Sequence, residues 1–354
     1  MQLTRRKLLS GAVGAAAAAV GGASYWAYGS AGAASSQVPV PKSLGTLSSG
    51  GNFVSGAGLA FSPDGRELAV LASTSVQRWD TASWNEQPAL LAGTGLVSPR
   101  AFAYSPDGDC VAISYGTSLD LADRRDGSLL QSVSMTSTGS GQGAGSIGQV
   151  AFSPDNRYLA VVVGAADISV YPYSRGRVGE TPAVRLTLDL SEPVGPMGFS
   201  AASSKLYASG TGAGVTFWDL GSWNRGQLPA GTSTAGQQPS ESSFMVLSQD
   251  GRFIASGQDP VVIWDTTSGR VADIINDVPD GGGVGGAFAS DSSLVIGGQS
   301  GDLSLWDFAD RKTLAAWSVG NPPLVSVAVS PTGGVVAIGC QGTCSIWNLP
   351  AHLA

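Results

Sequence analysis

The sequence predicts an all-β protein made of one small antiparallel sheet repeated seven times. Two observations carry this. A short turn signature recurs seven times at nearly even spacing, and an aromatic-acid pair recurs downstream of it in register. The signatures begin at Phe61, Tyr104, Phe152, Phe199, Leu247, Phe288 and Val329, with steps of 41 to 48 residues. Composition agrees: of 354 residues 43% are hydrophobic, 13% are charged and 50 are Gly. Disorder needs high charge and little apolar matter. The Gly has no three-residue period, which excludes collagen, and many tight turns explain its excess.

Each element of the repeat has a mechanical reason. The signature reads Phe61-Ser62-Pro63-Asp64-Gly65 in the first copy. Pro presets the first central turn position, Asp suits the second, and Gly or Asn accepts the left-handed conformation that follows. Short apolar strands come next: Leu68–Leu71, Val111–Ile113, Leu159–Val162, Phe253–Ala255 and Val335–Ile338. A Gly- or Ser-rich turn leads to a third strand. It closes on Trp79-Asp80, Trp218-Asp219, Trp264-Asp265, Trp306-Asp307 and Trp347-Asn348, with Ala122-Asp123 and Tyr171-Pro172 in the second and third copies.

These residues resemble the WD-repeat family over about residues 42–354. The resemblance implies a seven-bladed β-propeller with four strands per blade around a central channel. The Gly-His pair that often precedes each repeat in that family is missing from all seven copies. Its hydrogen-bond network is therefore expected to be absent, with Trp79, Trp218, Trp264, Trp306 and Trp347 supplying the packing as structural residues. The chain ends soon after Asn348, so the last copy lacks a fourth strand. Ser43–Leu47 precedes the first copy and is expected to supply it, closing the ring.

The first 33 residues read as an address. Thr4-Arg5-Arg6-Lys7-Leu8-Leu9 opens an Ala- and Gly-rich stretch, and Ala31-Gly32-Ala33 offers a cleavage site. The paired arginines resemble a twin-arginine export signal, with Leu8 where Phe is usual. The alternative is a retained membrane anchor over residues 8–28 with Arg5, Arg6 and Lys7 inside. Residues 34–41 form a linker to the propeller at 42–354.

Charge limits the partners. Nineteen Lys and Arg face 26 Asp and Glu. Setting aside Arg5, Arg6 and Lys7 leaves 16 against 26, a balance of −10. No run of cations follows residue 7, so nucleic acid is not an expected partner. A membrane is expected only through an uncleaved leader. The acidic bias favours a cationic protein or peptide. The single His, His352, lies near the C-terminus. A nucleophile-His site or a His-rich zinc site is therefore not expected. No calcium-loop spacing occurs, and Gly281–Gly286 lacks the Lys-Ser/Thr of a phosphate loop. No cofactor and no metal are expected.

Four local features complete the reading. Cys340 and Cys344 flank a short turn and could form a disulfide, while Cys110 reads as inert core. Arg78 stands where the other copies have an apolar residue before the aromatic slot, and reads as a structural salt bridge or an exposed edge, with a ligand contact as the alternative. Residues 136–146, 231–240 and 280–286 read as flexible connections. The turns between second and third strands share one rim with the segments that enter each blade. That rim collects Arg100, Tyr115, Gln149, Asp167, Glu192, Glu241, Asp259, Gln299, Asp302 and Gln341 as the contact set. The expected function is an exported, noncatalytic binding scaffold. The rivals are a tethered extracytoplasmic sensor and a propeller enzyme of lactonase or dehydrogenase type.

Overall fold

The computed structural model describes residues 40–48, 58–90, 98–135, 147–164, 167–188, 195–210, 214–229, 244–279, 282–320, 324–340 and 342–349. The leader and most of its linker lie outside the described residues, as do the connections 136–146 and 231–240. No helix occurs among the described residues. The strands form seven antiparallel sheets in a ring, a seven-bladed β-propeller.

Blade one is Leu59–Phe61, Glu67–Leu71, Val76–Asp80 and Glu86–Leu90. Blade two is Pro99–Tyr104, Cys110–Tyr115, Ser118–Asp123 and Leu129–Ser134. Blade three is Ile147–Phe152, Tyr158–Val163, Asp167–Ser174 and Val184–Thr187, with an added strand Arg177–Val178. Blades four, five and six begin at Met197, Phe244 and Gly283. The first strands are innermost, and that of each of these blades neighbours that of the next.

The ring closes as the sequence predicts. Blade seven holds Leu324–Val329, Val335–Cys340 and Thr343–Asn348, and its outer strand is Lys42–Leu47 from the start of the propeller. Lys42 pairs with Asn348 and Leu47 with Cys344. The strand is mostly exposed. It acts by pairing an open sheet edge and by laying Leu47 on the core between blades seven and one.

Seven hydrophobic clusters fill the seven spaces between neighbouring blades. Alternation along a strand explains how. In blade five Ile254, Val262 and Trp264 face blade four, while Ala255, Val261 and Ile263 face blade six. A middle strand is thus apolar on both faces, and the sequence shows it as an unbroken apolar run. Trp79, Trp218 and Trp264 are buried, each against the preceding blade. Trp306 and Trp347 are half-buried on the equivalent faces.

The Ser of the turn signature is the repeated polar device. Ser62 Oγ donates to Asp64 and accepts from the Glu67 amide at 3.0 Å. Ser105, Ser153 and Ser248 repeat both bonds. Asn156 takes the left-handed turn position that Gly65 fills in blade one, with φ of 58° and 69°.

Two expectations are corrected. Residues 283–286 are not a flexible connection but the start of blade six's inner strand, Gly283–Phe288. A Cβ on Gly286 would stand 2.6 Å from the Phe244 ring, so glycine here permits close approach of neighbouring blades. Cys340 and Cys344 form no disulfide; both are free and buried. Cys340 pairs with Thr343 and Cys344 with Gly339, so the thiols leave opposite faces of the sheet. They enter different cores, blades six–seven and seven–one. Burial pushes Cys340 up to about 11 and Cys344 further, and both stay protonated thiols at neutral pH. Cys110 lies in the core between blades two and three, as expected.

Two outcomes test this architecture. Deleting residues 41–50 removes the closing strand and should abolish the single cooperative unfolding transition; an unchanged thermal melt would refute closure. Trp264→Ala should cost about 3–5 kcal/mol in chemical denaturation.

Candidate functional site

Strand direction defines two rims. Every first strand runs toward its Ser-containing turn at the lower rim, and every second strand returns to the upper rim. The predicted contact residues that are described all lie at upper strand ends. Arg100 is the second residue of the inner strand of blade two, Tyr115 ends its second strand, and Asp167 and Asp302 begin third strands. Asp259 and Gln299 occupy the turns between. Glu192, Glu241 and Gln341 lie outside the described residues.

Their environments differ. Arg100 is exposed and is the extra residue of a β-bulge, because Pro99 pairs with Tyr115 and Ala101 with Ser114. The inner strands of blades three, six and seven bulge at the equivalent place. Bulges re-aim a side chain at the end of a strand, and among the described inner-strand residues only Arg100 is charged. Asp259 and Gln299 are exposed, and Asp302 accepts from Ser300 Oγ at 2.8 Å. Tyr115 is a correction: it is 7% exposed and belongs to the core between blades one and two. The Gln149 side-chain oxygen accepts the Met197 amide at 3.1 Å and links blades three and four.

Sequence reasoning missed two more acids on this rim, the exposed Asp277 and the half-buried Asp120, which accepts from Ser132. The only described cations in the upper half are Arg100 and Arg185. At the lower rim, by contrast, many acids are occupied by turns. Asp80 accepts the Ala82 and Ser83 amides, and Asp265 those of Thr267 and Ser268. Such bonds favour the charged form, and both carboxyls are held below their ordinary value.

Arg78 finds its partners between blades one and two. It donates to Glu67 at 3.3 Å, to the Pro88 carbonyl at 2.8 Å and to the Arg124 carbonyl at 2.5 Å. Tyr104 Oη donates to Glu67 at 2.5 Å, and Arg124 grips Asp64 with two nitrogens at 3.1 Å. Arg78 pairs across the sheet with Ala69, and Ala122 with Val111; both partners lie in this one interface. The two exceptions in the repeat are therefore one. Where blade two lacks an indole, blade one sends a guanidinium. Arg78 and Glu67 are buried, so their pairing must offset the loss of water.

Among the described residues no cluster of His, Cys, Asp and Glu could hold a metal ion. Comparison with family models finds no match. No curated protein matches the chain.

The interface charges make two predictions. Glu67→Gln leaves Arg78 buried without its countercharge and should cost about 3 kcal/mol, more than replacing Arg78 and Glu67 together by Leu. Equal losses in denaturant titrations would show the charges uncoupled. Burial raises the Asp64 carboxyl, but bonds from Arg124, Ser62 and the Arg66 amide outweigh it and hold it at about 2, against an ordinary 3.8. A depressed carboxyl stabilises the fold fully above the ordinary value and loses that contribution as pH falls toward about 2. Asp64→Asn should remove the part of the acid-limb stability loss that lies in this window, as read by unfolding free energy against pH.

Proposed function

We propose that this chain is a WD-repeat-type propeller working outside the cytoplasm as a noncatalytic scaffold. Its upper rim takes a cationic protein segment or peptide. The observation that carries the reading is the segregation of charge along the propeller axis. Among the described residues, Asp120, Asp167, Asp259, Asp277 and Asp302 face only Arg100 and Arg185 in the upper half, while the other exposed cations gather at the lower rim. A rim of one sign raises the local concentration of an oppositely charged partner and speeds its arrival.

Export is supported by Thr4-Arg5-Arg6-Lys7 and the Ala- and Gly-rich stretch after it. The noncatalytic reading is supported by the single His of the chain and by inner strands that carry one charged residue. The chain enters the propeller through Lys42 at the lower rim. A retained leader would therefore join the propeller at its lower rim.

The test is binding of a short lysine-rich peptide to the full chain. Asp259→Asn combined with Asp302→Asn should weaken it by about tenfold, and added salt should weaken the parent. Equal affinity of parent and variant would overturn the rim assignment.

A further inference from the structure

Blade three departs from the repeat on the lower rim. Its third strand, Asp167–Ser174, runs past the turn and folds back as a hairpin with Arg177–Val178. This addition is held firmly. The Gln131 side chain of blade two donates to the Val178 carbonyl at 3.1 Å and accepts its amide at 2.8 Å. Tyr173 is buried, stacks edge-on with Phe152 at 4.7 Å, and its hydroxyl accepts the Gly176 amide at 3.2 Å. A Cβ on Gly176 would stand 2.7 Å from Leu130, so the hairpin lies against blade two.

The tip is an unexpected place for arginine. Arg175 and Gly176 are the two central residues of the turn, with φ of 50° and 75°. Turns with both central residues left-handed prefer Asn, Asp or Gly at the first position. Six described non-glycine residues have positive φ: Trp84, Asn156, Arg175, Ser203, Trp223 and Arg311. Trp84 packs on the core between blades seven and one. Trp223 stacks on Tyr158, Ser203 accepts the Asp155 amide, and Arg311 pairs with the buried Asp273. Asn tolerates this conformation by itself. Of these six, Arg175 alone has neither a tolerant residue type nor a side-chain hydrogen bond, ion pair, ring contact or core packing among the described residues to account for it.

Arg177 beside it is also exposed and has no ion-pair partner among the described residues. Arg157, whose carbonyl accepts the Tyr173 amide at 2.7 Å, has among the described residues the Tyr158 ring beneath its guanidinium and no ion pair. Elsewhere on this rim Arg124, Arg125, Lys205, Arg252, Arg311 and Lys312 are each paired with an acid, while Arg66 and Arg270 are exposed without an ion pair among the described residues but stand singly, in different blades. Glu180 is the one exposed acid close in sequence to the hairpin.

We propose that hairpin Tyr173–Val178 is a second docking element, built to present Arg175 and Arg177 to a carboxylate-rich segment of a partner protein. The strain at Arg175 is then offset by contacts the partner supplies. Guanidinium groups suit this partner because their planar donors match a carboxylate two to two. A rigid backbone lowers the ordering cost of binding. A long nucleic acid is the poorer fit, since the hairpin offers too few cations to neutralise a run of phosphates.

The experiment titrates a labelled short glutamate-rich peptide into the full chain by fluorescence anisotropy. A single-stranded oligonucleotide runs beside it. Arg175→Gln with Arg177→Gln keeps both β-carbons and should weaken peptide binding by about tenfold with an unchanged melting temperature. Gln131→Ala keeps both guanidinium groups but unpins the strand, and should weaken binding by a smaller factor. Asp259→Asn with Asp302→Asn should not weaken it, which separates this surface from the upper rim. The proposal fails if the parent does not bind the peptide, if the arginine variant binds as well, or if the oligonucleotide binds as tightly as the peptide. It also fails if sedimentation shows the chain associating with itself through these arginines.

Discussion

The rest of the structure depends on burying both faces of each middle strand at once. Val111, Ala112 and Ile113 in blade two, or Ile254 and Ala255 in blade five, expose essentially nothing. A lone four-stranded sheet would leave one such face in water. Only a neighbour on each side removes the cost, and a row of neighbours ends cleanly only by closing on itself. The ring follows from this constraint, and so does the recruitment of Lys42–Leu47 to the last blade.

Polar groups are fitted around that requirement. Ser62 and its counterparts are buried, yet each hydroxyl is satisfied within its own turn, so the signature costs the core nothing. Asp273 shows the same economy between blades: one oxygen accepts the Trp306 indole at 3.0 Å and the other meets Arg311. The indole therefore has a partner without the His network that the WD-repeat resemblance brings to mind. The interface of blades one and two is the variant solution, where a charged cluster occupies the volume that an indole would fill.

Because local turns consume many acids of the lower rim, the two rims differ in character. Below, carboxylates cap turns and pair with arginines. Above, they stand at the ends of strands with few cations near them. The hairpin of blade three stands apart, since it places Arg175 and Arg177 side by side below with no ion pair to either among the described residues.

Much of the fold was legible in residue order because its determinants are local and repeated. Turn chemistry, apolar runs and aromatic slots recur at a fixed period, and a period of this kind admits few arrangements. The closing strand was legible by subtraction, as one unmatched strand at each end. The faces of Cys340 and Cys344 were not, because a one-residue change in pairing register reverses a side chain and register depends on the whole hairpin. Gly283–Gly286 read as a loop for the same kind of reason: the residue that permits a tight approach is also the residue of flexible turns, and only Phe244 from the adjacent blade tells them apart. Arg78 and Ala122 each looked anomalous alone. Their complementarity became visible once neighbouring blades brought positions 44 residues apart onto one interface. Likewise the separation of charge between rims belongs to the tertiary structure, since consecutive strands carry alternating stretches of the chain to opposite ends of the ring.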